Sequence, residues 1–107
     1  MSDLKWDRAF AFEQAGDDAD LLTELLGLLT SSSKGDLQKI KDGLASGDGQ
    51  EVADAAHSIK GAAASLGVEG LRLAAYEIEK KGRAGQLGGI DTAAIADLVE
   101  QLETLKA

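Results

Sequence analysis

The sequence predicts an all-α protein, an antiparallel up-and-down four-helix bundle with a short additional N-terminal helix. Three observations predict it. Apolar residues recur every three or four positions along most of the chain, the period of a helix that buries one face. Aspartates and glycines that cap or stop helices fall between these stretches. The composition is free of proline and low in aromatics, at 4%, which favours helix over sheet.

Leu4 to Gln14 are expected to form the short first helix, with Trp6, Phe10 and Ala9 on one side. Gly16 ends it, and Asp17 or Asp18 caps the next. The second stripe runs Leu22, Leu25, Leu26, Leu29, Ser33, Leu37, Ile40 and Leu44. Its phase is that of one long helix over about 18–46. The weak place is "SSSKGD", where Gly35 alone costs about 1 kcal/mol of helix propensity. Because the stripe stays in register across it, one continuous helix is favoured over a break at Ser31–Gly35.

Asp48 and Glu51 resemble a capping box that opens a third helix over about 49–66, ended by Gly67. A fourth helix over about 69–82 turns Leu71, Ala74, Ala75 and Ile78 inward. "KGRAGQLGG" reads as a glycine-rich loop. Asp91 caps a fifth helix, with the stripe Ile95, Leu98, Val99, Leu102 and Leu105. Short connections make successive helices antiparallel neighbours. The length of 107 residues suits a single domain, 1–107, with one core.

The chain-wide properties narrow the function. A net charge of −8 argues against a nucleic-acid partner, since phosphates repel an acidic surface. The absence of cysteine excludes disulfides and thiolate metal sites and fits a reducing compartment. No apolar run approaches the ~20 residues of a membrane span, and "MSDLKWDRAF" lacks the apolar core of a signal peptide. A cytoplasmic protein, a monomer that does not engage membrane, is expected.

The chemistry concentrates in "AHSIKGAAASLG", which holds the single histidine. On a helical wheel Val52, Ala56, Ile59, Ala63 and Leu66 form the core sector, with Ala55 and Ala62 at its edge. His57 lies roughly 160° from the centre of that sector, so it points outward. Its neighbours at helical spacing are Ala53, Asp54, Lys60, Gly61 and Ala64. A solvent-facing helix usually carries long side chains, yet here most are alanine or glycine.

Three readings of His57 compete. An ordinary surface histidine is the commonest case but leaves the bare surroundings unexplained. A metal ligand lacks a second histidine or a cysteine to share the ion. A nucleophile approached by a large partner accounts for both features. Neutral imidazole is nucleophilic near pH 7, and low neighbours (Gly61, Ala53, Ala64) leave clearance for another protein's active site. Lys60 can set a positive charge against a phosphoryl oxygen. No base, metal cluster or nucleotide cradle accompanies the histidine, so it reads as a phosphorylation substrate rather than an enzyme.

The run from His57 to Gly67, "HSIKGAAASLG", closely resembles the signature of histidine-containing phosphotransfer (HPt) domains. That pattern is a histidine, an aliphatic residue two on, lysine, glycine, two small residues and then a Leu-Gly pair. "FAFEQAGDDADLLTELLGLL" is similar to the family's first helix and the start of its second. "ASGDGQEVADAAHSIKG" looks like its turn into the histidine helix.

The resemblance implies a mechanism. A phosphoryl group passes from an aspartate of a response-regulator receiver domain, or from a histidine kinase, to Nε2 of His57, and onward to another receiver aspartate. It implies no cofactor on this chain, the magnesium ion belonging to the receiver. It implies that Lys60 stabilises the phosphoryl charge and that Gly61 gives room. Where several members carry a glutamine near the histidine, this chain has Glu79. A carboxylate there could orient the ring by accepting its N–H, or repel the phosphoryl group, or simply be a solvated surface residue. Arg83 agrees with the family pattern and is a candidate for contact with a receiver or phosphate. Lys80 and Lys81 add local positive charge.

Two other readings stay open on sequence alone. One is a helical protein-interaction domain with an incidental histidine. The other is the phosphorylatable domain of a chemotaxis-type histidine kinase. A self-contained enzyme fits least, because "GRAGQLGG" lacks the Walker pattern and a preceding strand, and no second histidine can pair with a serine.

Overall fold

The computed structural model describes residues 3–107. Five helices build it: α1 (Arg8–Gln14), α2 (Ala19–Ser46), α3 (Gly49–Ser65), α4 (Glu69–Arg83) and α5 (Ala93–Gln101), with 3₁₀ turns at Leu87–Gly89 and Leu102–Thr104. The bundle measures 42 × 23 × 18 Å, its long dimension set by the 28 residues of α2 at ~1.5 Å each. Among the described residues there is no strand, and no helix is long and apolar enough to cross a membrane.

α2 passes through "SSSKG" without a break. Leu22, Leu26, Leu29, Ser33, Leu37 and Ile40 are all buried along one line. Burying a leucine or isoleucine contributes ~1.5–3 kcal/mol, so those on either side of Gly35 outweigh its propensity cost. Asp18 caps the start, its Oδ1 accepting from the backbone N–H of Asp20 and Leu21 at 3.0 and 3.1 Å. Asp48 likewise accepts from the Glu51 N–H at 3.0 Å, and Asp91 from the Ala93 N–H at 2.9 Å.

The N-terminus departs from the expected helix. α1 begins only at Arg8, capped by Asp7, which accepts from the Phe10 N–H at 3.0 Å. Residues 3–7 run as a strap across the α3–α4 turn. Trp6 forms an isolated antiparallel bridge with Val68, and its indole Nε1–H donates to the Leu66 carbonyl at 3.0 Å. The Gly70 N–H donates to the Leu4 carbonyl at 2.7 Å. With the helix starting later, Ala11 and Ala15 face the core, while Ala9 and Phe10 are exposed. At the other end, α4 extends to Arg83, so the first three residues of "KGRAGQLGG" are helical.

α3 and α4 pack closely because glycines face each other across the interface. A Cβ on Gly82 would lie 3.0 Å from the Ala53 nitrogen and 3.1 Å from the Gly49 oxygen, and one on Gly49 would lie 2.7 Å from the Gly82 oxygen. These are backbone atoms, which cannot swing aside. α2 is tied to α3 by a charge-assisted hydrogen bond, the Ser58 hydroxyl donating to Oδ2 of the largely buried Asp36 at 2.6 Å.

Candidate functional site

The close approach of α3 and α4 sets His57, on the outer face of α3, beside Glu79 on α4. Three groups converge on that carboxylate. His57 Nδ1 lies 2.8 Å from Oε2, the Arg83 guanidinium donates to the same oxygen at 2.9 Å, and Lys60 Nζ lies 2.6 Å from Oε1 as an ion pair off the hydrogen-bond line. The Glu79 side chain is 7% exposed and that of His57 60%. The carboxylate is therefore held under the ring, and the imidazole stands over it into solvent.

Burial pushes the Glu79 carboxyl up, but the Lys60 and Arg83 cations and the His57 contact more than offset it and hold it at about 2. Glu79 is thus ionised at neutral pH and can only accept hydrogen bonds. Nδ1 must then carry the proton. In the neutral ring this leaves the lone pair on Nε2, at the far side of the imidazole from Glu79. Lys60 and Arg83 set two cations against the buried Glu79, and the exposed Asp54 lies one turn before His57 on α3.

The structure brings His57, Lys60, Glu79 and Arg83 together. Glu79 is a buried member of the site, not a solvated surface residue. Gly61 and Ala64 are exposed beside the ring, and nothing lies within 4 Å of where a Gly61 Cβ would be. Ala53 does not belong to that open face. It is 1% exposed, because Gly82 lets α4 come in over that edge of α3. Of the two further lysines, Lys80 pairs with Glu77 at 2.8 Å and Lys81 donates to the Gly89 carbonyl at 2.9 Å.

Two residues near the site were not singled out from sequence. Asp36 falls three positions after Ser33 on the buried stripe of α2, and a carboxylate on such a stripe signals a buried partner. Tyr76 stands one turn before Lys80 on α4, and its ring lies 5.2 Å from Lys60 Nζ and 4.7 Å from Lys80 Nζ. Among the described residues no group of three or more histidine, cysteine or acidic side chains is arranged to hold a metal ion.

A helical bundle that presents one solvent-facing imidazole, oriented from below by a buried carboxylate, defines a phosphocarrier-type module. The sequence model of the Hpt domain matches residues 24–106, and the chain belongs to that family, whose role is histidine phosphotransfer in phosphorelays. Its fold is similar to the crystal structure of histidine-containing phosphotransfer protein B (HptB) from Pseudomonas aeruginosa PAO1. The match has a TM-score of 0.70 and 25% identity, and covers 94% of this chain and 83% of that one. No curated protein matches the chain significantly.

Proposed function

We propose that His57 is the phosphoacceptor of this phosphorelay module, receiving the group from an aspartyl phosphate on a receiver domain or from a histidine kinase and delivering it to a receiver aspartate. The observation that carries this reading is the 2.8 Å contact between His57 Nδ1 and the ionised Glu79, beneath a ring that is otherwise open to solvent. In the receiver case the Nε2 lone pair attacks phosphorus. The N–P bond forms as the P–O bond to the aspartyl carboxylate breaks, and the aspartate leaves as the anion. Nδ1 keeps its proton, and the positive charge that develops on the ring is met by Glu79.

Lys60 and Arg83 supply fixed positive charge near the phosphoryl oxygens, and Gly61 and Ala64 leave the approach clear. The chain carries the group and leaves catalysis, including the magnesium ion, to its partner. On this reading it works as a single copy in the cytoplasm. Incubation with a labelled phospho-receiver tests the reading. Wild type should take the label in an acid-labile, base-stable form, and His57→Gln should take none. Equal labelling of His57→Gln would place the acceptor elsewhere.

A further inference from the structure

We propose that Tyr76 is a positioning residue for the phosphotransfer step, its ring holding the Lys60 ammonium beside His57. The inference rests on the phosphocarrier reading and adds to it a residue that acts through Lys60. Tyr76 is 40% exposed, so packing alone does not account for a large aromatic there in a chain with only one tyrosine. Two ammonium groups lie against its ring, Lys60 at 5.2 Å and Lys80 at 4.7 Å from the centroid, within the ~6 Å range over which a ring quadrupole attracts a cation.

The two lysines differ in what else holds them. Lys80 is tied to Glu77 on its own helix. Lys60 reaches across from α3, and Glu79 anchors only one side of its ammonium. Lysine is a flexible point charge with three donors. With Glu79 on one side and the Tyr76 ring on another, the ammonium is confined next to the imidazole while a remaining N–H stays available. A phosphoryl group arriving on Nε2 then meets a cation already in place, which removes an ordering step from the transfer.

The test needs no partner protein. Zwitterionic phosphoramidate phosphorylates the imidazole directly: its P–N bond breaks, ammonia leaves, and the Nε2–P bond forms. Uptake rate and the lifetime of the phosphohistidine are followed by ³¹P NMR, with thermal unfolding as a check on folding. Tyr76→Leu should lower the uptake rate or the lifetime about two- to fivefold, as expected for loss of one partly exposed cation–π contact. Tyr76→Phe, which keeps the ring, should restore it. In a Lys60→Met background Tyr76→Leu should have no further effect.

Three results would overturn the proposal: wild-type kinetics in Tyr76→Leu, a loss in Tyr76→Phe equal to that in Tyr76→Leu, or an undiminished Tyr76→Leu effect without Lys60. Failure of wild type itself to take up phosphate at His57 is a separate outcome. It would overturn the phosphocarrier reading and this inference with it.

Discussion

His57 Nδ1 donates to Oε2 of Glu79 across 2.8 Å, and this hydrogen bond decides which ring nitrogen is left with its lone pair. Because Glu79 is buried and ionised, the tautomer is set by the protein and not by solvent. Glu79→Ala should therefore slow transfer in a protein that still folds. A charge-assisted hydrogen bond contributes ~1.5–3 kcal/mol, so the single-turnover rate from a phospho-receiver should fall about tenfold or more. The midpoint of chemical unfolding should also fall, since Lys60 and Arg83 lose their shared partner, but the helical far-UV CD spectrum should be kept. An unchanged transfer rate would remove Glu79 from the mechanism.

The same carboxylate makes stability depend on pH in a definite direction. Its folded-state pKa, at about 2, lies below the ordinary value of 4.5. Its contribution is therefore fully present above about pH 4.5 and is lost as pH falls toward 2. Wild type and Glu79→Gln should differ by roughly 1–3 kcal/mol at pH 6, with the gap closing toward pH 2. Urea unfolding across that range checks this. A gap that stays constant with pH would mean that the charge of Glu79 is not what its neighbours recognise.

Gly82 brings α4 close enough for Glu79 to reach under the ring. On helix propensity alone Gly82→Ala would stabilise by about 1 kcal/mol. The added Cβ would instead meet the backbone of Ala53 and Gly49 at 3.0–3.1 Å, and overpacking against such atoms costs about 1–3 kcal/mol. Net destabilisation is expected, together with slower phosphotransfer as α4 is pushed outward. A raised unfolding midpoint would show that the interface is more yielding than its geometry implies.

Gly61 presents the opposite case, since a Cβ there meets nothing within 4 Å. Gly61→Gln should raise stability by about 0.5–1 kcal/mol and weaken receiver binding, measured as Kd by titration calorimetry. Unchanged affinity would show that clearance at this position is not what the partner requires.

These contrasts mark what was legible in the sequence. The course of α2 could be read through three serines and a glycine because a stripe kept in phase outweighs local propensity. The outward direction of His57 followed from the α3 wheel. The fate of Ala53 did not, because how far α4 overlaps the edge of α3 is fixed by Gly82, on another helix. The sequence leaves Glu79 open between surface and site for the same reason: a wheel gives direction, not the depth at which a neighbouring helix sits. At the N-terminus, Trp6 and Phe10 mimic helical spacing, yet Leu4 is buried and Trp6 half-buried by pairing with the α3–α4 turn, which is a contact distant in sequence. Tyr76 carries no sequence signal because Lys60, one of the two lysines against its ring, comes from another helix.

The central claim is that Nε2 of His57 accepts the phosphoryl group while Nδ1 keeps its proton against Glu79. The most direct measurement is ¹⁵N NMR of the phosphorylated, ¹⁵N-labelled protein, resolving the two ring nitrogens by their coupling to ³¹P. The account predicts ³¹P coupling at Nε2 of His57 and a protonated, hydrogen-bonded Nδ1. Phosphorus on Nδ1, or on any residue other than His57, would contradict it.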